Sequence, residues 1–491
     1  MFRMGSRFFR SNRLLLMTIV VTILAGIGYG LSGKYDWLKT IANIMIIVQS
    51  VIVASLIVWR VIDALRFGAR GVDVLSFGAI LVALWAQSYW VAIAACLVHL
   101  FVFTIRSFVE TRVNRITGLP ELKLDGSAIV LRGRKQVVTT VEKLSKGDKI
   151  LIEANSMIPV DGILLDDKAE VDESWLKGNA NVTKSKHNAV YAGSINSGES
   201  FTIRAVSSRT GSLVSGLIHT LKTARFTSSP FLNTAEVFSL VYTLVVIVFA
   251  VGAFIRGDKA ELLATLIAST PLVFIATPKL FFAIAMGKAG RQGIFFKSSK
   301  SVELSSTVKS LLVSDEFAAS FGKKSNDVLH KLQGYVDNIS VLGNTSDAKN
   351  GGYLEVIKAS NLSEKIIAIE NATDDSGVLS LNPDAEHSLL QASNLGIQLN
   401  SSDSGLAEAA DVYILSEDVA KVGIMKSITK KVIRRCQLLI MVIGLMSIAI
   451  MFSAAFGYIN AWYSLAASFT IYLLMFGFVL ATSRQRLDKK F

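Results

Sequence analysis

The run Val171-Asp172-Glu173-Ser174-Trp175-Leu176-Lys177-Gly178-Asn179-Ala180 lies inside a polar stretch, residues 106–229, that is flanked on both sides by long apolar segments. Reading outward from that run, short segments alternate apolar and polar residues at 129–131, 136–140, 149–153, 162–165, 189–192 and 200–205. Turn signals separate them at Gly133, Gly147-Asp148, Asp161-Gly162 and Asn196-Ser197-Gly198. A period of two broken by Gly, Asn and Asp predicts short strands, so this stretch reads as a small β-rich domain with helical flanks.

The flanks set the class. Of the 491 residues, 51% are hydrophobic and the mean hydropathy is +0.48, which fits a polytopic α-helical membrane protein with soluble parts. About eight membrane helices of ~17 to 23 residues are predicted. They begin near Leu14, Ile41, Val72, Tyr89, Phe238, Leu262, Ile433 and Trp462. Arg3, Arg7, Arg10 and Arg13 precede the first, Arg60, Arg66 and Arg70 follow the second, and Arg484, Arg486, Lys489 and Lys490 end the chain. Positive charge collects on cytoplasmic flanks, so both termini and both large polar stretches are expected in the cytoplasm of an integral plasma-membrane protein, most simply a bacterial one. The short loops 32–40, 86–88, 256–261 and 455–461 then lie outside.

The formal net charge of +13 is read as topology and attraction to an anionic leaflet. No nucleic-acid partner is expected, since no basic and aromatic interleaving accompanies the charge. No small-residue cleavage site follows Gly30, which argues against a cleaved signal peptide. With only Cys96 and Cys436, the count excludes a disulfide framework or a Cys-x-x-Cys metal site.

Four motifs carry a resemblance: Gly147-Asp148-Lys149-Ile150, Ile158-Pro159-Val160-Asp161-Gly162, Val171-Asp172-Glu173-Ser174 and Tyr191-Ala192-Gly193-Ser194-Ile195-Asn196. In order and spacing they resemble the actuator domain of the heavy-metal (CPx-like) P-type ATPase family, and four ordered matches are far more specific than one. The resemblance implies five segments: four membrane helices (1–105), an actuator-like domain (106–235), a helix pair (236–286), a reduced phosphorylation-like α/β domain (287–432), and a final helix pair with a basic tail (433–491). It also implies losses. The family's Thr-Gly-Glu-Ser falls on Lys177-Gly178-Asn179-Ala180, and the amide of Asn179 cannot accept the proton that the family's glutamate accepts.

Counting back from Gly293-Ile294-Phe295-Phe296-Lys297 puts the family's Cys-Pro-Cys ion site on Thr270-Pro271-Leu272. The proline survives and the thiols do not. Proline removes a donor and frees a carbonyl, so Pro271 could still unwind the helix beside Thr270, while Leu272 offers a metal nothing. Lys279, about two turns farther on at ~1.5 Å per residue, is read as snorkelling toward the bilayer edge. Met441, Met446, Met451 and Met475 are soft donors in principle, but methionine in an apolar helix is more often filler. His99 falls in a predicted span, where an ionisable group is costly, and is either functional or a hydrogen-bonded structural histidine. With His187, His219, His330 and His387 it makes no ligand spacing.

In the second polar stretch the family's phosphorylated Asp-Lys-Thr-Gly-Thr falls on Ser314-Asp315-Glu316-Phe317-Ala318. Serine stands at the phosphoacceptor. A slip of one residue restores Asp315 without the neighbouring lysine and threonines, so phosphorylation is not expected in either register. The magnesium-binding aspartate falls on Asn382, with Asp384 and Glu386 nearby read as helix-start carboxylates. Only about 65 residues separate Ser314 from Leu381, too few for an inserted nucleotide-binding domain. Strand-like runs at 365–369 and 412–415 and helix-like runs at 328–336 and 385–394 suggest one small α/β, HAD-like domain.

The expectation is therefore a non-catalytic relative of the pumps, acting as partner, regulator or scaffold of a membrane complex, with the lipid bilayer and a membrane-protein partner as its contacts. No cofactor is expected. The rival is a divergent heavy-metal or other cation transporter, or a passive cation path, which would require ATP and Mg2+ if driven at Asp315.

Overall fold

In the computed structural model, the described residues are 2–31, 36–66, 74–116, 127–132, 135–173, 182–206, 229–315, 317, 325–343, 355–359, 361–373, 375–381, 386–399, 410–414 and 418–485. They form two compact units, one of residues Met1–Val113, Pro230–Phe281 and Arg434–Gln485, the other of the intervening segments.

The first unit is helical. Its elements are α1 (Phe2–Leu31), α2 (Asp36–Arg66), α3 (Leu75–Trp85), α4 (Tyr89–Ile116), α5 (Pro230–Arg256), α6 (Lys259–Ala268), α7 (Leu272–Gly290), and the late helices Ala420–Ala455 and Ala461–Arg484. Among the described residues, six segments are long and apolar enough to cross a membrane: Trp37–Asp63, Tyr89–Val109, Pro230–Arg256, Lys259–Gly290, Ala420–Ala455 and Ala461–Arg484. The apolar helices Leu15–Tyr29 and Leu75–Trp85 are shorter, so two of the eight expected spans fall below that length. Large apolar side chains such as Leu244, Val248, Ile255 and Leu445 are mostly exposed, an arrangement that is stable only against hydrocarbon. Inside, Leu75, Ala79, Tyr242, Val246, Leu263 and Phe274 share one apolar cluster.

The span Lys259–Gly290 differs from the others: 78% of its apolar window is buried, against 28–39% in the other five. It is also broken. Asp258 caps α6 by accepting from the Ala260 and Glu261 amides at 3.0 Å each, and α6 stops at Ala268 because Pro271 cannot donate to Ile267. The helix resumes as α7 at Leu272.

The second unit begins with strands β1 (Ser127–Arg132), β2 (Lys135–Thr140), β3 (Lys149–Ile152), β4 (Gly162–Leu164), β5 (Lys168–Asp172), β6 (Val182–Ser185), β7 (Ala189–Val190), β8 (Ile195–Asn196) and β9 (Phe201–Ala205). They make a sheet in the order β2-β1-β3-β9-β4-β7 and a smaller one, β6-β5-β8. The motif residues act as fasteners. Asp161 accepts from the Ala192 amide at 2.8 Å, tying two motifs together. The Asn196 side chain donates to the carbonyls of Glu153 (3.1 Å) and Glu199 (2.8 Å) and accepts from Gly198 N (2.9 Å).

The same unit holds a seven-stranded sheet: β10 (Ile294–Phe296), β11 (Ser310–Ser314), β12 (Asn338–Gly343), β13 (Glu355–Lys358), β14 (Ser376–Ser380), β15 (Gly396–Leu399) and β16 (Val412–Ile414), in the order β10-β16-β15-β14-β11-β12-β13. All pairs are parallel except β10 with β16. Its central strands are buried nearly end to end, as a sheet covered on both faces requires. Helices α8 (Ser299–Thr307), α9 (Ser325–Gln333), α10 (Leu362–Glu370) and α11 (His387–Ala392) connect the strands. The late helices become α12 (Ala420–Ala455) and α13 (Ala461–Arg484).

One expectation is overturned here. Residues 365–369 are helical, not a strand, because Asn361 caps the helix: its Oδ1 accepts from Glu364 N at 2.9 Å, and its side-chain Nδ2 donates to Glu364 Oε1 at 3.2 Å. That start signal outweighs the strand preference of Ile366, Ile367 and Ile369.

Candidate functional site

The chain passes from β11 to β12 and β13 on one side of the seven-stranded sheet and returns to β14, β15 and β16 on the other. The reversal lies between β11 and β14, and in open parallel sheets ligands bind beyond the carboxyl ends of strands at such a point. Two of the expected positions are there, and α11 brings a third. Ser314 ends β11; its hydroxyl accepts from Phe317 N at 3.0 Å and donates to Glu386 Oε1. Both Ser314 and Glu386 are buried. Ser380, at the end of the neighbouring β14, is buried too.

Asp315 follows directly, with its side chain half exposed, and Lys365 Nζ reaches its Oδ1 at 2.5 Å from the first turn of α10. Room for this carboxylate comes from Gly343 at the end of β12, where an added Cβ would sit 2.7 Å from Asp315 Cβ. Asp315 is among the expected positions; Lys365 is not, since it lies in a helix where the sequence suggests a strand. The signal that could have found it was the Asn361-x-x-Glu364 pair, which places Lys365 in a helix start just upstream of β14. Asn179, with Lys177, Gly178 and Ala180, and Asn382, with Asp384, lie outside the described residues. Beside the first of these gaps, Glu173 is fully buried and pairs with Lys184 at 2.9 Å, the lysine also lying over the Tyr191 ring at 5.5 Å.

The second site is the helix break. Thr270 and Pro271 form it, and Leu272 begins α7. Pro271 has no N–H for the Ile267 carbonyl, and the Ser468 hydroxyl takes that carbonyl at 2.8 Å. Ser239 donates to the Pro271 carbonyl at 3.2 Å. Thr270 donates to Ser447 Oγ at 2.8 Å, and the Tyr242 hydroxyl reaches the Ser447 carbonyl at 3.5 Å. Lys279 does not simply snorkel: it pairs with Glu236 at 2.9 Å. Met441 and Met446 face outward, whereas Met451 and Met475 are packed inside. Among the described residues no group of three His, Cys, Asp or Glu side chains is placed to hold a metal ion. Cys96 and Cys436 are free and buried, and His99 lies half-buried in α4.

Elsewhere in the α/β region, Asp411 accepts from Gly396 N at 3.2 Å and from Ser301 Oγ at 3.3 Å, fastening β15 to α8. Burial pushes its carboxyl above the ordinary range, against the pull of those hydrogen bonds and of Lys297 and Lys300.

Residues 123–222 match the P-type ATPase actuator domain. A copper-transporting ATPase of Helicobacter felis is 29% identical over 232 residues, 45% of this chain and 32% of that protein. A silver exporting P-type ATPase of Salmonella typhimurium is 29% identical over 184 residues, 35% of this chain and 22% of its own length. The chain thus spans about a third or less of the length of these relatives. The crystal structure of a zinc-transporting PIB-type ATPase in its E2.Pi state aligns over 97% of this chain and 100% of that one, with a TM-score of 0.52 and 15% identity, a likeness of fold. Residues 123–222 thus carry a P-type ATPase actuator domain, and over the lengths given the chain is similar to copper- and silver-transporting P-type ATPases.

Proposed function

We propose that this chain is a cation transporter on a P-type frame, with Asp315 in the phosphoacceptor's role. The observation that carries this reading is the Asp315–Lys365 pair at the reversal point of the parallel sheet. The names of the relatives, which transport copper or silver, support it over a non-catalytic role. The half-exposed Asp315 carboxylate attacks the terminal phosphorus of ATP, an acyl phosphate forms, and ADP leaves. Lys365 offsets the charge that builds on the phosphoryl oxygens. Water then cleaves the acyl phosphate, restoring the carboxylate and releasing phosphate. Asp315 and Glu386 are hard oxygen donors that suit Mg2+, which when bound neutralises phosphate charge.

Membranes holding the full chain, incubated with radiolabelled ATP and Mg2+, should yield an acid-stable, hydroxylamine-sensitive phosphoprotein. Asp315→Asn should abolish it, and Lys365→Ala should reduce it by about 10- to 100-fold. No labelling of the unaltered chain would sink the reading.

A second reading keeps the notion of a non-catalytic partner or scaffold. It is favoured by the buried Ser314–Glu386 contact and by the roughly 65 residues available between Ser314 and Leu381, too few for a nucleotide lobe. Co-purification of a stable membrane-protein partner, with no phosphoprotein, would support it.

Both readings share a topology: eight crossings, the termini, the actuator domain and a HAD-like domain all on the cytoplasmic side of a bacterial plasma membrane, with segment limits near residues 105, 235, 286 and 432. Reporter fusions at the two ends test it; an external signal from either end would refute it.

A further inference from the structure

We infer that the broken span takes a weakly hydrated monovalent cation of the alkali class, and that a thiophilic metal is not its ligand. The inference rests on the transport reading above and names its cargo class.

The groups at the break come from three neighbouring helices. Ser239 and Tyr242 lie on α5, Ser447 on α12 and Ser468 on α13, all buried around Thr270 and Pro271. Tyr242 also meets the backbone and hydroxyl of Thr270. A hydroxyl has one proton and two lone pairs. Ser468 and Ser239 spend their protons on the Ile267 and Pro271 carbonyls, and Thr270 spends its own on Ser447. What these side chains have left is acceptor capacity, which suits a cation and repels an anion. The Ile267 carbonyl, freed by the proline, keeps a second lone pair, whereas the Pro271 carbonyl accepts from both Ser239 and the Phe274 amide.

An independent observation lies beside this shell. Ser464, one turn before Ser468 on α13, is fully buried with no hydrogen-bond partner for its hydroxyl. Thr277, six residues past Pro271 on α7, is likewise buried without one. Polar groups buried in this way are expensive unless something is meant to meet them.

Donor chemistry then selects the ion. Thiolates, thioethers and imidazoles suit Cu+ and Zn2+, whereas hard dications take anionic oxygens. The shell contains neither sulfur, imidazole nor carboxylate. Met451 lies one turn from Ser447 on α12 but packs in the apolar cluster of Tyr242 and Phe274. The one nearby charge pair, Lys279 with Glu236, is internally neutral. Neutral oxygen dipoles can replace the hydration shell of a large monovalent ion, which costs least to strip.

The test is ion binding by the purified full-length protein in nanodiscs, read as equilibrium uptake of radioactive Rb+ and as thermal shift in K+, with choline as the inert reference. Saturable Rb+ uptake displaced by K+ is expected, and Thr270→Val with Ser447→Ala should weaken it at least about tenfold. Ser55→Ala, at an exposed position of α2, should leave it unchanged. Stoichiometric Cu+ or Zn2+ binding untouched by K+ would overturn the inference, as would the absence of any alkali effect on the unaltered protein. That last comparison needs no variant to fold. Saturable Rb+ binding without a phosphoprotein would sink the ATP-driven reading alone; a phosphoprotein stimulated only by Cu+ or Zn2+ would sink this inference alone.

Discussion

The helix break and the sheet's reversal point hold their side chains together differently. At the break the side-chain contacts are between neutral groups, hydroxyl with hydroxyl or with the carbonyls of Ile267 and Pro271. At the strand ends and in the β-rich region the contacts are ionic: Asp315 with Lys365, Glu173 with Lys184. Surroundings explain the contrast. An unneutralised charge in hydrocarbon costs several kcal/mol, on the order of 3 or more for a central lysine or aspartate, whereas a hydroxyl can satisfy itself on the nearest carbonyl. In the water-bounded unit a charge can be paired and partly solvated. The lesson is that the dielectric around a backbone device, a proline break or a crossover, decides which side-chain chemistry can hold it together.

The contrast is easiest to break where a charge is most deeply buried. Glu173→Ala strands Lys184 in the β-rich region and should lower stability by about 3–5 kcal/mol, measured by thermal or denaturant unfolding of the purified protein. If the loss is under about 1 kcal/mol, the pair is not the buried ionic contact described and the contrast weakens. Gly343→Ala comes next. Its Cβ must displace Asp315, so a loss of about 1–3 kcal/mol should accompany a weaker phosphoprotein signal.

The neutral side should respond less steeply. Ser468→Ala leaves the Ile267 carbonyl unsatisfied and should cost about 1–3 kcal/mol, with no dependence on salt or pH. A salt-dependent loss would mean that a charge had been overlooked there. The smallest effect concerns Asp411. Because its carboxyl is held above its unfolded value, the contribution is fully present below the unfolded pKa of ~3.9 and is lost as pH rises through the raised one. Thermal unfolding between about pH 4 and 7 should therefore fall less with rising pH in Asp411→Asn than in the unaltered protein. Identical slopes would refute the assignment.

Much of this was legible beforehand. Pro271 and the apolar runs announced a broken span, and Gly, Asn and Asp turns announced the β-rich domain. Strands β5, β6 and β8 are not among those expected, although β5 alternates Lys168, Glu170 and Asp172 with the inward Ala169 and Val171; β6 and β8, at four and two residues, are too short to establish a period of two. Around Lys365 the β-branched Ile366, Ile367 and Ile369 favour a strand, and the Asn361 cap overrides them. Lys279 was expected to reach for water, and its partner Glu236 stands 43 positions away. The stretches around Asn179 and Asn382 lie outside the described residues.

By itself the amino-acid order determined what local chemistry can fix: which stretches suit lipid, where proline denies a hydrogen bond and where turns fall. Tertiary structure alone decided the partners. Ser468 reaches Ile267 across 201 positions and Ser447 meets Thr270 across 177, while Lys365 finds Asp315 over a separation of 50. Periodicity and propensity act over a few residues, whereas a carbonyl or carboxylate is satisfied by whatever group the packing of distant segments brings within about 3 Å.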